Sequence, residues 1–176
     1  RQNRIHDVRG VDAMGITVYG TSPTTPLSDL VIDENEIYDV EPAQSEALTL
    51  NGNIERFAVT NNNVRDVNNI GIDFIGGEVE INSDPTKVPR DGVCRFNHVF
   101  RARANYGGGF AAGIYVDGGR DIIVENNVVS GSDMGIEVGA ESAGVVASGI
   151  IVRNNRIYRN DKVCLVLGGI DASAGR

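Results

Sequence analysis

Three carboxylates and a tyrosine occupy matching places in a short motif that recurs along this 176-residue chain. They are Asp73 in GIDF, Tyr115 and Asp117 in GIYVD, and Glu137 in GIEV. Because alternate residues of a strand point to opposite faces, these side chains are predicted to share one outer face. A pair of carboxylates can act as the acid and base of glycoside hydrolysis, and several carboxylate oxygens together can bind Ca²⁺.

The motif is one half of a repeat that fills the chain. Its six copies are GITV (15–18), ALTL (47–50), GIDF (71–74), GIYV (113–116), GIEV (135–138) and VCLV (163–166). Each copy follows a segment with an asparagine in a fixed slot, and successive asparagines are 27 to 35 residues apart. These asparagines are Asn3, Asn35, Asn62, Asn97, Asn127 and Asn155. A period of this length is typical of solenoid folds.

Strand periodicity and a turn-rich composition indicate which kind of solenoid. Apolar residues alternate with period two, as in Ile16-x-Val18, and 22 glycines exclude a helical bundle. We predict an all-β fold with one domain over residues 1–176, a single-stranded right-handed parallel β-helix (solenoid) of about six coils. The asparagines are predicted to form a structural ladder, because Asn tolerates left-handed turns and stacked amides hydrogen-bond between coils.

Three stretches of the chain resemble a known group of proteins: SEALTLNGN (45–53), NNIGIDFIGGE (68–78) and GIYVDGG (113–119). They are similar to a bacterial secreted branch of the right-handed parallel β-helix proteins, in the pectin-lyase-like superfamily. The resemblance covers nearly the whole chain and implies an extracellular (secreted) protein that acts on an extended polysaccharide. The superfamily contains lyases, hydrolases, epimerases and phage tailspikes, so the fold alone does not select a reaction.

Two long loops flank the carboxylates of the third and fourth coils: the insertion 77–92 and the stretch that precedes GIYV. Long loops on a rigid scaffold commonly carry function. Their polar and aromatic side chains, together with a tyrosine of the GIYV strand that could stack on a sugar, are predicted to bind substrate. These residues are Glu78, Arg90, Arg101, Arg103, Tyr106 and Tyr115.

The spacing of the carboxylates suits hydrolysis. Coils about 4.8 Å apart place the Cα atoms of Asp73 and Asp117 about 8 Å apart and those of Asp73 and Glu137 about 10 Å apart. An inverting glycosidase needs about 6.5–9.5 Å between its two carboxyl groups. We predict a polysaccharide hydrolase without a cofactor, with Asp73 and either Asp117 or Glu137 as the acid–base pair.

A lyase is the other enzymatic interpretation. In polysaccharide lyases of the superfamily that the chain resembles, Ca²⁺ neutralises a uronate carboxylate and an Arg or Lys acts as the base. Asp73, Asp117 and Glu137 are then the calcium ligands. The candidates for the base are Arg90, Arg101, Arg103 and Lys87.

The alternative class is a non-catalytic β-solenoid, either glycan-binding or structural. In that case Asp73, Asp117 and Glu137 are ordinary solvated side chains, Tyr115 only covers its neighbours, and the loop arginines are ion-pair partners. A scaffold would spread polar residues evenly over its coils. The sequence concentrates carboxylates on the third, fourth and fifth coils, which favours an enzyme.

Charge and hydropathy limit the partners. The net charge of −8 argues against binding to nucleic acid, whose binders carry basic patches. No apolar run approaches the roughly 18 residues that a membrane helix needs. We therefore predict no nucleic acid and no membrane partner, and the resemblance to the β-helix proteins implies a polysaccharide.

Two further expectations concern the cysteines and the ends of the solenoid. Cys94 and Cys164 align with inward-facing residues and are predicted to be buried free thiols. Neither Arg1–Val8 nor Gly168–Arg176 looks like a capping helix. The ends are therefore predicted to meet further coils, caps or another chain, and the chain to be a fragment of a longer one.

Overall fold

The computed structural model describes residues 1–41, 45–106 and 108–168, which form three parallel sheets, here named A, B and C. Sheet A contains β1 (Arg4–Arg9), β5 (Glu36–Glu41), β9 (Asn63–Val67), β12 (His98–Ala102), β15 (Val128–Ser130) and β18 (Arg156–Tyr158). Sheet B contains β2 (Ile16–Gly20), β6 (Leu48–Gly52), β10 (Ile72–Ile75), β13 (Ala112–Asp117), β16 (Met134–Gly139) and β19 (Val163–Leu167). Sheet C contains β3 (Leu27–Ser28), β4 (Val31–Asp33), β7 (Ile54–Glu55), β8 (Ala58–Thr60), β11 (Arg90–Arg95), β14 (Arg120–Glu125) and β17 (Ile151–Arg153).

Each coil visits the sheets in the order A, B, C and then returns to sheet A one coil along. Equivalent strands of successive coils pair in parallel, as β6, β10 and β13 do in sheet B. Sheets A and B each have six strands, which corresponds to six coils. The predicted all-β parallel β-helix is therefore confirmed. Over the described ranges, no helix has the length and apolar character needed to cross a membrane.

The core is a column of apolar side chains inside the coils. In sheet B the register stacks one inward residue from each coil: Ile16, Leu48, Ile72, Ile114, Ile136 and Leu165. The four middle members of this stack are fully buried. Sheets A and C add their own inward residues to the same cluster, among them Ile37, Val64, Val59 and Val124. Because the core fixes the inward set, the alternate residues of sheet B face outward.

The small first residue of the sheet B motif is required by the close approach of neighbouring coils. A Cβ atom on Gly113 would lie 2.3 Å from Cγ1 of Val129. A Cβ atom on Gly135 would lie 2.2 Å from the carbonyl oxygen of Cys164. Neither position has room for a methyl group in a close-packed interior.

The six predicted asparagines form a continuous ladder along one corner of the solenoid. Each side-chain amide donates to Oδ1 of the asparagine in the next coil, at 2.9–3.0 Å from Asn3 through to Asn155. The left-handed turn is made by the preceding residue, with φ of 54–59°, and not by the ladder asparagine itself, which corrects that part of the prediction. These preceding residues are Gln2, Glu34, Asn61, Phe96, Asn126 and Asn154.

The last strand is shifted by one residue from the predicted alignment. Its register pairs Ile136 with Leu165, so CLVL and not VCLV continues the motif. Cys164 is accordingly exposed, and its predicted burial is wrong, whereas Cys94 is buried. Residues 169–176, most of the tail predicted to lack a cap, lie outside the described residues.

Candidate active site in an acidic cleft

A cleft of about 310 Å³ lies over the outward face of sheet B. Strands β10 and β13 contribute to its floor, and loops after sheets A and B contribute to its walls. The residues that line it are Glu46, Asn69, Ile70, Asp73, Ile75, Glu78, Ala104, Tyr106, Phe110, Asp117 and Glu141. Five of these lining residues are carboxylates, and none of those that the structure describes is Arg or Lys.

Asp73 and Asp117 lie on the neighbouring strands β10 and β13. The register pairs Asp73 with Tyr115, and Asp117 follows Tyr115 two residues farther along the strand. One step between strands of about 4.8 Å and two residues of about 3.3 Å each separate the two Cα atoms by about 8 Å. The two side chains are only 2% and 6% exposed. The structure therefore brings together two of the three predicted catalytic carboxylates.

Hydrogen bonds hold two further carboxylates beside this pair. The backbone N–H of Glu141 donates to Oδ1 of Asp117 at 2.7 Å, which ties the loop after β16 to the cleft. Oγ1 of Thr49 donates to Oε2 of Glu46 at 2.9 Å. Because Thr49 pairs with Asp73 in the register of β6 and β10, this bond keeps Glu46 close to Asp73.

Burial raises the pKa values of the carboxyl groups in the cleft. Burial, reinforced by the charges of Glu46 and Asp117, holds the pKa of Asp73 well above its usual range. Burial also raises the pKa of Asp117 to about 8 and that of Glu46 to about 7. For Glu141, burial raises the pKa and the nearby charge of Glu78 raises it further. The cleft therefore retains protons near neutral pH, as many catalytic sites do.

Two buried acceptors in this region have no hydrogen-bond partner: Oδ1 of Asp73 and Oδ1 of Asn51. Asn51 is 3% exposed, and its Nδ2 donates to Oε2 of Glu78 at 2.6 Å. It lines a second cavity, of about 400 Å³, which shares Glu46, Ile75 and Glu78 with the cleft. Buried polar atoms in proteins nearly always have a hydrogen-bond partner, so a ligand that donates hydrogen bonds would satisfy these two acceptors.

The third predicted catalytic residue, Glu137, is separated from Asp73 by the side chain of Tyr115. Tyr115 pairs with Asp73 on one side and with Glu137 on the other. The ring is only 2% exposed and packs against Ala112 and Met134, so it is not available as the predicted sugar platform. Burial raises the pKa of Glu137 to about 7, but this residue does not line the cleft.

The three arginines predicted to bind substrate do not line the cleft either. Their guanidinium groups are held by carboxylates on other faces of the solenoid, as the ion-pair alternative expects. The partners are Glu55 for Arg90, Asp66 for Arg101 and Asp161 for Arg103. Glu78 and Tyr106, by contrast, do line the cleft.

The arrangement gives no support to calcium ligation by Asp73, Asp117 and Glu137. Within the part of the chain that the structure describes, no group of three or more His, Cys, Asp or Glu side chains is arranged to hold a metal ion. Tyr115 also lies between Glu137 and Asp73.

The lining residues that sequence reasoning misses include three with charged or aromatic side chains: Glu46, Phe110 and Glu141. Glu46 directly precedes the ALTL motif, where a carboxylate can fold back over the groove strand. Phe110 and Glu141 lie in segments rich in Gly and Ala, which suggest plain turns. Phe110 is 60% exposed and Tyr106 is 37% exposed, so both aromatic rings reach the surface at the rim of the cleft. The sequence signal for Phe110 and Glu141 is that each is a single bulky or charged residue among small ones.

The chain is similar in sequence to one bacterial protein and in fold to a solved structure. No protein-family model matches it. The chain is 40% identical over 149 residues to the uncharacterized protein YwoF of Bacillus subtilis (strain 168), a match that covers 82% of this chain and 31% of YwoF. The chain thus spans about a third of the length of this curated relative.

The fold is similar to that of a solved structure. A point mutant of the periplasmic alginate epimerase AlgG superposes with a TM-score of 0.64 at 14% sequence identity. The match covers 90% of this chain and 32% of the AlgG chain. At this identity the likeness establishes the parallel β-helix and leaves the chemistry to be argued from the cleft.

Proposed function

We propose that this β-helix acts on a glycan chain and that the acidic cleft hydrolyses a glycosidic bond with inversion. The observation that carries the proposal is the pair of Asp73 and Asp117, buried in one cleft with Cα atoms about 8 Å apart. Inverting glycosidases hold their two carboxyl groups roughly 6.5–9.5 Å apart, which leaves room for a water molecule, and side chains that start from Cα atoms at this separation on one face can reach that spacing.

The environments of the two carboxyl groups indicate which one is the general acid and which one is the general base. Asp73 is the more buried, and burial reinforced by neighbouring carboxylates holds its pKa well above the usual range, so it keeps its proton and acts as the general acid. Asp117, with a pKa raised by burial to about 8, ionises at mildly alkaline pH and acts as the general base. Asp117 removes a proton from water, the water oxygen bonds to the anomeric carbon, and Asp73 protonates the departing glycosidic oxygen. Solvent then returns one proton to Asp73 and takes one from Asp117.

Hydrolysis suits the cleft better than β-elimination. A lyase acting on a uronate needs a cationic group near the sugar carboxylate and a base at the ring. The lining residues include no Arg or Lys among those described, and Arg90, Arg101 and Arg103 pair with other carboxylates. Acid–base chemistry by two carboxyls needs neither group.

The similarity to AlgG supports the proposal at the level of the scaffold. AlgG is a periplasmic epimerase that acts on alginate, a polysaccharide, and its chain contains a fold like the one described above. By analogy we assign this chain to the pectin-lyase-like β-helices and to an exported, extracellular setting. Fold analogy does not select the reaction, which rests on the cleft.

The test is release of new reducing ends from a panel of neutral, acidic and amino polysaccharides. Wild-type protein is compared with Asp73→Asn and with Asp91→Asn, a matched change at an exposed residue of sheet C. We expect release that Asp73→Asn abolishes and that Asp91→Asn leaves unchanged. If the folded wild-type protein releases no reducing ends from any polysaccharide of the panel, the proposal is overturned in favour of a non-catalytic solenoid.

A further inference from the structure

The cleft is a strongly acidic environment that lacks a balancing cation. Its carboxylates are Glu46, Asp73, Glu78, Asp117 and Glu141. Within the described residues none of the side chains lining the cleft is Arg or Lys, so the lining offers no positive charge to an anionic sugar. Charges at close range in a partly buried site interact far more strongly than in bulk water.

Cationic residues near the cleft do not change this balance. Arg90, Arg101 and Arg103 are held by carboxylates outside it. Lys162 approaches the rim, with Nζ 4.0 Å from the centre of the Phe110 ring, but it is not one of the residues that line the cavity. The interior therefore offers nothing to pair with the carboxylate of a uronic acid.

The interior instead offers hydrogen-bond acceptors without donors. Oδ1 of Asp73 is buried, lines the cleft and has no partner. Oδ1 of Asn51, in the adjoining cavity, is buried and has no partner either. Asn51 carries no charge, and although its Nδ2 donates to Glu78, its Oδ1 still lacks a donor. A primary ammonium group supplies three donors and one positive charge.

We propose that the cleft and the adjoining cavity select a glycan with free amino groups, of the glucosamine type, over neutral and uronic acid glycans. The inference rests on the proposed function for the ligand being a glycan. An ammonium group in the cleft is a donor for Asp73, one in the adjoining cavity is a donor for Asn51, and their charges offset the acidic lining. A charge-assisted hydrogen bond of this kind is among the stronger polar contacts in proteins. The cavities, at about 310 and 400 Å³, fall within the usual range for small-ligand sites, roughly 300–1,000 Å³.

The test is calorimetric binding at pH 7 of four tetrasaccharides to the whole chain. The sugars are glucosamine, N-acetylglucosamine, glucose and galacturonate oligomers of equal length. We expect the glucosamine oligomer to bind about ten- to a hundredfold more tightly than the acetylated one, the size expected for one hydrogen bond to a charged group. Equal binding of the two, or tighter binding of the galacturonate oligomer, would overturn the inference.

Four variants locate the effect. Asp73→Ala, which removes the unpaired acceptor, and Glu78→Gln, which removes a charge, should each reduce the preference for the amine, and since Glu78 is exposed its variant does not depend on repacking the core. Asp91→Asn should leave the preference unchanged. Lys162→Ala should not weaken binding of the amine. Uronate binding that depends on Lys162 and exceeds amine binding would contradict the inference.

The same experiment separates this inference from the proposed hydrolysis. Selective binding of the amine without cleavage of any oligosaccharide supports the inference and overturns the hydrolysis. Cleavage of uronate oligomers in preference to amino oligomers supports catalysis by the cleft and overturns the inference. Failure of all four oligomers to bind overturns the inference.

Discussion

Tyr115 pairs directly with Asp73 across the step from β10 to β13, and its buried ring separates Asp73 from Glu137. Asp117, two residues beyond Tyr115 on β13, lines the cleft together with Asp73, whereas Glu137 does not. The shared cleft is the reason for assigning the chemistry to Asp73 and Asp117.

The parts assigned to the two carboxyls differ in how they depend on the leaving group. Asp73→Asn removes the general acid, so we expect kcat/KM to fall about 10²–10⁴-fold on a natural glycan. The loss should be much smaller on an aryl glycoside with an acidic phenol, because that leaving group needs no proton. Asp117→Asn should be impaired on both substrates. Kinetics with paired natural and aryl substrates check this, and equal losses for Asp73→Asn on both would contradict its part as the acid.

The pH dependence of activity follows from the base. Burial raises the pKa of Asp117 to about 8, and the base must be ionised to act. We therefore expect kcat/KM to rise with pH through neutrality and to reach about half of its plateau near pH 8. Asp73, with its pKa held well above its usual range, keeps its proton in that window. A profile that is flat between pH 5 and 8, or that falls, would contradict the assignment.

Stability should change with pH in the opposite direction. At neutral pH the folded protein holds protons on Asp73 and Asp117 that the unfolded chain, with carboxyl pKa near 4, has lost. Raising the pH from 5 to 8 therefore lowers the free energy of unfolding, by at most about 1.4 kcal/mol per pH unit for each such group. Below about pH 4 the trend reverses, because ion pairs such as that of Asp66, whose pKa is lowered by hydrogen bonds from Arg101, are lost.

Thermal melting between pH 5 and 8 measures this effect. The melting temperature should fall as the pH rises, and Asp117→Asn should flatten the slope because Asn does not ionise. Asp91→Asn serves as the matched control and should keep the slope of the wild-type protein. A melting temperature that increases with pH over this range would refute the link between burial and protonation.

The asparagine ladder should matter most where it is buried. Asn97 is 1% exposed, donates to Oδ1 of Asn127 at 3.0 Å and accepts from Asn62 at 3.0 Å. Asn97→Ala leaves buried groups without partners, at about 1–3 kcal/mol for each. Asn3→Ala, at the exposed end of the ladder, should cost less than about 1 kcal/mol. Urea unfolding compares the two, and equal losses would show that the ladder does not act through buried hydrogen bonds.

The rim aromatic Phe110 should contribute to substrate binding more than to the chemical step. Its ring is 60% exposed beside the cleft, where it can stack on a sugar. Phe110→Ala should raise KM about tenfold and leave kcat nearly unchanged, as expected when ground state and transition state lose the same contact. Phe100→Ala, on sheet A, is the control. A loss confined to kcat would contradict a binding role.

The fold could be predicted because it depends on features that repeat. Three features recur in successive coils: alternating apolar residues, the asparagine at a fixed position and the small first residue of the sheet B motif. Gly113 shows why that first residue is small, since a Cβ atom there would clash with the next coil. The last strand broke the pattern because VCLVL is apolar at almost every position, so periodicity could not distinguish Cys164 from Leu165 as the inward residue.

The site was only partly predictable. Asp73 and Asp117 are read from strand alternation, which fixes the face of each side chain. Glu46 and Glu141 enter the cleft through contacts with Thr49 and Asp117 that join residues of different strands and loops, and no local pattern encodes these contacts. The loop arginines lie outside the cleft for a related reason. Their partner carboxylates lie up to 58 residues away in the chain, as Asp161 does from Arg103.

The central claim is that Asp73 and Asp117 hydrolyse a glycosidic bond with inversion. Proton NMR of the first sugar released, recorded before mutarotation, reports the anomeric configuration directly. We predict a saturated product whose anomer is opposite to that of the bond cleaved, and its loss in Asp73→Asn and Asp117→Asn but not in Asp91→Asn. A product with retained configuration, or an unsaturated product of elimination, would contradict the account.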